Sequence, residues 1–349
     1  MPVLDKNDNI KVNEYVKFIK NFPSVSFMQD YGWGNVKSSW IKEYIYMEKD
    51  GKIYAAMSCL IKKLPLLKHT IIYVPRGPVC DIKDLYILKQ LIKEADDIVK
   101  KYKAIVIKFD PEIEKNEDLK YLYKINNFKI INKQSTLIQP KYNMVIDIQN
   151  KTEEDLIKSF ASKTRYNIKY GYKKSVKTFF SNDIEDLKIF YELYVMMCKR
   201  KSIEIRDYSY FETLFNSYSK DELRIYLAKH ENDFLAAAIA LNYGGCVYYL
   251  YGATSDLKRE LKASYVVQLE MIRWGLEKKC KTYNLGGLLN PVNENGLFRF
   301  KVGFTGDQGI KEYVGEINKV YNYPLYFLYN FVLPKFRSIV RRIKGLKTQ

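Results

Sequence analysis

Residues 53–79 read IYAAMSCLIKKLPLLKHTIIYVPRGPV, and residues 234–255 read FLAAAIALNYGGCVYYLYGATS. Each opens with a β-prone run, breaks at a turn (LPLLKH in one, NYGG in the other), resumes as a second β run and ends on a glycine-bearing turn. A helical segment follows both. DLYILKQLIKEADDIVKKY (84–102) and ASYVVQLEMIRWGLEKK (263–279) carry apolar residues at intervals of three and four. A further strand closes each unit, within KAIVIKFDP (103–111) and KTYNLGGLL (281–289). The offset is nearly constant: Gly77 aligns with Gly252 at 175 residues, Asp110 with Gly286 at 176. A hairpin–helix–strand module therefore occurs twice, half a chain apart, as tandem homologous domains would have it.

That order of elements resembles the acyl-CoA N-acyltransferase (GNAT-like) fold. The expectation is an α/β protein of two tandem GNAT-like domains with mixed sheets. The first spans 1–146 plus 312–349, its C-terminal tail packing back, and the second spans 147–311. In that fold the donor's acyl arm lies where two neighbouring strands splay apart. Acetyl-CoA users add a [QR]xxGx[GA] loop whose backbone amides cradle pyrophosphate. The matching stretches here, SDLKRELKAS (255–264) and RGPVCDIKDLY (76–86), lack that pattern. The fold is expected without the coenzyme, and no cofactor is predicted.

Bulk composition agrees with two globular domains: 349 residues, 47% hydrophobic. The net charge of +18 points to an anionic partner, whether nucleic acid, a phosphorylated metabolite or an acidic membrane, or else to a solvated lysine-rich surface. Five scattered cysteines without a short-spaced pair argue against disulfides and zinc. The polar, acidic opening MPVLDKNDNIKVNEY shows no signal peptide, and the apolar run YPLYFLYNFVL is too short to span a bilayer. A cytoplasmic protein is expected. The two histidines, His69 and His230, have no metal-ligand spacing around them. No P-loop and no dinucleotide fingerprint is present.

Six stretches then take on meaning together: FMQDYGWGNVK (27–37), YVPRGPV (73–79), KTRYNIKYGYKK (163–174), YGATS (251–255), YNLGGL (283–288) and GLFRFKVGF (296–304). In this order they resemble the Fem-type (FemABX) aminoacyltransferases that build peptidoglycan interpeptide bridges, in the short form without an inserted helical-hairpin arm. The resemblance implies an aminoacyl-tRNA donor. It implies as acceptor the stem peptide of a peptidoglycan precursor, lipid II or UDP-MurNAc-pentapeptide. It also implies that Lys37, Arg206, Tyr210 and Tyr251 line the acceptor site, with Asp110 in the cleft nearby.

The residues have readings of their own. Gln29, Trp33 and Lys37 are four apart and share one face if that segment is helical, with Trp33 packed and Lys37 either solvated or holding a phosphate. Arg76, between Pro75 and Gly77-Pro78, is a held guanidinium suited to a carboxylate, a phosphate or a structural ion pair. Asp110 ends a strand, where it either meets an incoming ammonium or serves a turn. Residues 156–180 hold seven Lys or Arg and no acid. Lys163, Arg165, Lys169 and Lys173, interleaved with Tyr166, Tyr170 and Tyr172, suit tRNA or a solvated face. Thr152 and Asp155 read as a capping box before them. The tail 322–349, aromatic and then basic, suits either an anionic membrane, with the protein peripheral at its inner face, or docking on the first domain.

An amine attacking an activated ester needs no protein nucleophile. It needs positioning, proton removal and a cation for the tetrahedral oxyanion. Lys301 is the candidate cation, Phe300 and Phe304 shape and dry its pocket, and Gly303 permits close backbone approach. Asp110 is the candidate for the amine's proton. This reading requires Lys301 to face the cleft between the two repeated domains. Two rivals stay open: an aminoacyl-tRNA–protein transferase, and a non-catalytic RNA- or membrane-binding protein.

Overall fold

The computed structural model describes residues 3–23, 25–64, 67–289 and 296–332. Two mixed sheets carry the chain. The first holds β1 (Ile41–Lys49), β2 (Lys52–Lys63), β3 (Thr70–Val74), β4 (Ala104–Phe109) and β5 (Lys129–Ile131). The second holds β6 (Tyr142–Asp147), β7 (Lys177–Ser181), β8 (Leu223–His230), β9 (Asp233–Tyr243), β10 (Cys246–Thr254), β11 (Thr282–Leu288) and β12 (Ile310–Glu312). Strand β13 (Glu316–Val320) returns to the first sheet between β4 and β5.

Helices α1 (Asn9–Asn21) and α2 (Tyr31–Val36) precede the first sheet, α3 (Leu85–Glu94) and α4 (Asp96–Lys101) cross from β3 to β4, and α5 (Glu117–Ile125) precedes β5. In the second half α6 (Glu153–Ser159) and α7 (Ser162–Lys173) precede β7, and α8 (Ile184–Lys201) and α9 (Tyr208–Asn216) precede β8. Helix α10 (Ala263–Glu277) crosses from β10 to β11, α11 (Gly296–Thr305) precedes β12, and α12 (Tyr323–Phe327) follows β13.

The module repeats strand for strand. Strands β2 and β3 pair antiparallel and β3 and β4 parallel; β9 and β10 pair antiparallel and β10 and β11 parallel. Local chemistry explains the turns. The β9–β10 hairpin closes through Gly244 and Gly245, whose φ angles of +57° and +76° give the two-residue turn that matches strand twist. Helix α3 starts at Asp84, whose carboxylate accepts the N–H groups of Tyr86 and Ile87. The Thr152–Asp155 capping box starts α6 as the sequence predicts. Helix α10 is apolar around most of its circumference because the second core encloses it: Val266, Leu269, Met271, Ile272 and Trp274 are buried.

The expected domain boundaries shift in two places. Strand β6, assigned up to residue 146 to the first domain, pairs with β11 and β12 in the second sheet, and Glu312 closes β12 there. The reason is register: β6 alone separates β11 from β12, so it cannot leave that sheet. The N-terminal segment is also shared. Tyr15, Ile19, Phe27 and Trp33 lie in one core with Phe190, Phe211, Ile239 and Leu241 of the second half. The Tyr243 hydroxyl donates to Asp30 Oδ2 at 2.6 Å across that junction.

After β13 the chain packs on the first sheet. Tyr326 is buried with Ile71, Ile105, Val106 and Val320. The remainder of the predicted membrane-facing tail, 333–349, lies outside the described residues. Among the described residues no helix is long and apolar enough to cross a membrane.

A buried ion pair ties β13 to β4: Lys108 Nζ lies 2.9 Å from Glu316 Oε1. Glu316→Ala strands the ammonium and is expected to cost about 3–5 kcal/mol in urea unfolding, whereas Lys108→Met with Glu316→Leu restores most of it. A loss below about 1 kcal/mol in the single variant contradicts this view of the pair.

Candidate active site

The second sheet parts where the first does not. Strands β10 and β11 hold register at Cys246, Val247 and Tyr248 and then separate, although both continue for several residues. A bulge between Tyr249 and Tyr251 turns β10 away from its partner. On β11, Gly286 takes a φ of +83°, a conformation that glycine adopts without cost.

Helix α11 places Lys301 in this gap. Its Nζ donates to Gly287 O at 2.9 Å and lies 3.6 Å from the position a Cβ on Gly286 would take. Lys301 is 6% exposed, and no carboxylate pairs with it among the described residues. Burial alone pushes its ammonium down to about 8. Phe300 packs edge-on against Tyr265 at 4.9 Å and Phe304 against Phe160 at 5.2 Å, which keeps the base of α11 dry. Gly303 earns its place: a Cβ there would meet Thr164 Oγ1 at 2.3 Å, so only glycine lets α11 seat on α7. Lys301 thus faces the gap within the second sheet, not a cleft between the two modules.

A groove of about 500 Å³ leads to the gap along the start of α10, lined by Tyr249, Gly252, Tyr265 and Phe300. Its rim is cationic. Arg200 pairs with Asp256, and Lys258 with Glu231 and Asp233. Lys201, Arg259 and Lys262 have no acidic partner among the described residues, and Lys201 is pushed down by burial and by Arg200 and Arg259. Lys262 caps α10 without a side-chain hydrogen bond; the Tyr265 N–H donates to Lys262 O at 2.9 Å, and the N–H groups of Ala263 and Ser264 have no partner among the described residues. These cations escaped the sequence reading, which took 255–264 only for its missing glycines.

On the opposite face of β10 five residues singled out in the sequence meet. The hydroxyls of Tyr210 and Tyr251 are 2.8 Å apart. Lys37 Nζ lies 3.5 Å from the Tyr210 hydroxyl and 4.5 Å from the centre of the Trp33 ring. The Arg206 guanidinium covers the Tyr210 ring at 4.8 Å. Burial and then the Arg206 charge push Lys37 down to about 8. Neither cation has a carboxylate within ion-pair distance among the described residues, Glu204 acting on Arg206 only at longer range, and two such cations suit a bidentate anion. Gln29 is not part of it. It sits in a separate 3₁₀ turn, Phe27–Gln29, and its buried carboxamide bonds Pro75 O and Ser58 N, so only Trp33 and Lys37 share a face.

Arg76 and Asp110 serve the first module. Asp110 accepts the Arg76 N–H at 2.7 Å and the Tyr73 hydroxyl at 2.8 Å. The Arg76 guanidinium donates to Pro140 O at 2.8 Å and to Asp110 O at 3.3 Å, with Glu112 at 3.5 Å. Burial pushes Asp110 up to about 6 against the pull of Arg76. This network occupies the strand ends at which the second module opens. Both carboxylate oxygens are engaged, and neither residue touches Lys37, Arg206 or Lys301 among the described residues.

A sequence model described as the FemAB family matches residues 10–135, 123–233 and 228–333. The chain belongs to the FemAB family. A UDP-N-acetylmuramoylpentapeptide-lysine N(6)-alanyltransferase of Weissella viridescens is 34% identical over 337 residues, covering 93% of this chain and 98% of that protein. A lipid II:glycine glycyltransferase of Staphylococcus haemolyticus is 28% identical over 418 residues, covering 97% and 99%. That alignment is longer than this chain's 349 residues, so the FemAB relative carries residues this member lacks. The crystal structure of FemX superposes with a TM-score of 0.84 at 25% identity, over 94% of this chain and 99% of that one. A tandem GNAT protein from the clavulanic acid pathway shares the fold at a TM-score of 0.54 and 9% identity, over 91% and 97%. This FemAB member is thus an acyltransferase built from two GNAT-like modules.

On α7 the FemAB chain exposes Lys163, Lys169 and Lys173 beside the stacked rings of Tyr166 and Tyr170, 5.9 Å apart. Arg165 differs: its Nη1 donates to Phe160 O at 2.6 Å and Lys158 O at 3.0 Å, clamping the α6–α7 turn.

Inorganic pyrophosphate is expected to bind at Lys37 and Arg206. By titration calorimetry Lys37→Met should weaken it by about tenfold. Because Lys37 is protonated below about pH 8, wild-type affinity should fall as pH rises through 8, and the variant should lose that dependence. A wild-type affinity that is flat across pH 7–9 contradicts the assignment.

Proposed function

We propose that this chain transfers an amino acid from aminoacyl-tRNA to the side-chain amine of the stem peptide of a peptidoglycan precursor. The observation that carries this reading is the arrangement around β10. Lys37 and Arg206, without an ion pair among the described residues, lie on one face, a cation-rimmed groove lies on the other, and buried Lys301 sits in the gap between β10 and β11.

Lipid II and UDP-MurNAc-pentapeptide both carry a diphosphate, and the named substrates of the two relatives are of these kinds. Lys37 and Arg206 suit that diphosphate, with Tyr210 and Tyr251 fixing its orientation through their shared hydrogen bond. The groove suits the aminoacylated 3′ end: Lys201, Arg259 and Lys262 meet phosphates, and the exposed lysines of α7 meet the tRNA body. The acceptor amine attacks the ester carbonyl, and charge develops on the carbonyl oxygen. Lys301, dry and uncompensated, stabilises that charge more strongly than a solvated lysine does. Asp110, with both oxygens engaged, acts here through the first-module framework and not as the base for the amine. Work at the inner face of the plasma membrane, with the tail against anionic lipid, fits a lipid-linked acceptor.

Reconstitution tests the reading. Purified chain, charged tRNA and either precursor should give a product heavier by one amino-acid residue, detected by mass spectrometry and abolished by ribonuclease. Transfer to peptide N-termini, with both precursors untouched, would instead establish a protein transferase.

Lys301→Met should lower kcat by roughly 10²–10³-fold in a folded protein. The charged form is the useful one, so the wild-type advantage should be constant below about pH 8 and shrink above it. An advantage that grows as pH rises towards 8 would make Lys301 a base instead.

A further inference from the structure

Gly77 and Gly252 stand at matching places in the two modules, and each leaves room for a polar side chain. A Cβ on Gly77 would meet the Gln29 carboxamide at 2.4–2.6 Å. That carboxamide is fully engaged, donating to Pro75 O at 2.6 Å and accepting from Ser58 N at 2.9 Å. A Cβ on Gly252 would fall 1.7 Å from the hydroxyl of Tyr249. Any side chain at 252 would therefore evict the tyrosine ring. Unlike the carboxamide, this hydroxyl has no hydrogen-bond partner among the described residues, and Tyr249 and Gly252 together form part of the groove wall.

Strand alternation puts Tyr249 on the same face of β10 as Val247, and the bulge that follows turns Tyr251 to the other face. Tyr249 pairs with Ala240 and Tyr251 with Ile239, which leaves Leu250 extra. Tyr251 therefore joins Tyr248 in the core on the α8–α9 side, and Tyr249 alone of the three packs on the α10 side with Phe300 and Phe304. Tyr249 is also the first residue of β10 beyond the ladder with β11. Its carbonyl oxygen lies 3.8 Å from the Cβ position of Gly286, and Lys301 Nζ lies 3.6 Å from the same point. The Tyr249 backbone and the Lys301 ammonium therefore border one gap, and the Tyr249 side chain lines the groove beside it.

We propose that Tyr249 is a further catalytic residue, its hydroxyl protonating the ribose oxygen released when the ester breaks. The inference rests on the donor being an aminoacyl ester of RNA. The acceptor nitrogen forms a bond to the carbonyl carbon, and the bond from that carbon to the ribose oxygen breaks. Tyr249 passes its proton to the departing oxygen and takes the proton shed by the acceptor nitrogen, so the phenol ends as it began and nothing is oxidised. Burial pushes the phenol up to about 12, which keeps it protonated at working pH yet able to serve an alkoxide. Lys301 and Tyr249 divide the work: one holds the carbonyl oxygen, the other the leaving oxygen.

Single-turnover transfer by the full chain separates this role from a structural one. One donor is an aminoacylated RNA minihelix; the other is the same RNA carrying the amino acid as a thioester on a 3′-thiol, which departs without a proton. Tyr249→Phe should lose about 100-fold on the oxygen ester, with donor KM within about twofold, and stay near wild type on the thioester. Gly252→Ala should show the same selective loss, and the double variant should be no worse. Equal rates for Tyr249→Phe and wild type on both donors, or an equal loss on both, overturns the role. A wild-type protein inactive on the oxygen ester overturns the donor reading, and this role with it.

Discussion

The separation of β10 from β11 is the constraint on which the rest of the site depends. A continuous parallel ladder would seal the second sheet, as the first is sealed through Val74 and Phe109 and then by Arg76 and Asp110. Ending the ladder at Tyr248 and Asn284 leaves a gap between the two strands, beside Lys301. Into it the fold inserts an ammonium with no counter-ion among the described residues. Moving that group from its ordinary value of 10.5 to about 8 costs on the order of 3 kcal/mol, which the native state bears until negative charge arrives. Under the proposed mechanism that cost is recovered only as an oxyanion forms, which is the condition for catalysis rather than mere binding.

Duplication explains how such a site arises within one chain. Both modules have the same hairpin, crossover helix and parallel strand, yet they have diverged at equivalent positions. The first fills its strand ends with a guanidinium, a carboxylate and the Gln29 carboxamide, all mutually satisfied. The second keeps glycine at 252 and 286 and leaves a lysine and a phenol without full partners. In the proposed mechanism one copy serves as framework and the other carries the chemistry. The N-terminal segment joins them, since Trp33 is buried in the second module's core while it carries Lys37 above it.

Much of this could be read from residue order. The repeat, the hairpin at Gly244 and Gly245, and the cap at Thr152 are local patterns, and local patterns survive folding. The clustering of Trp33, Lys37, Arg206, Tyr210 and Tyr251 was legible only through resemblance, because no spacing rule links residue 37 to residue 251. What could not be read is governed by non-local register. The end of the β10–β11 ladder, the pairing of β6 between β11 and β12, and the bulge that turns Tyr251 away from the groove all depend on neighbours distant in sequence. The cations Lys201, Arg259 and Lys262 come from two elements and look like ordinary surface lysines and arginines until the groove exists. Asp110 ended a strand as predicted, but its two oxygens were taken by residues 34 and 37 positions away.

The most direct measurement is a crystal structure with a stable aminoacyl-RNA analogue, in which an amide replaces the ester at the 3′ end of a short minihelix. The account predicts the carbonyl oxygen about 3 Å from Lys301 Nζ, inside the gap between β10 and β11, with the terminal ribose against Tyr249. A carbonyl bound elsewhere, with Lys301 still bonded only to Gly287, would contradict it.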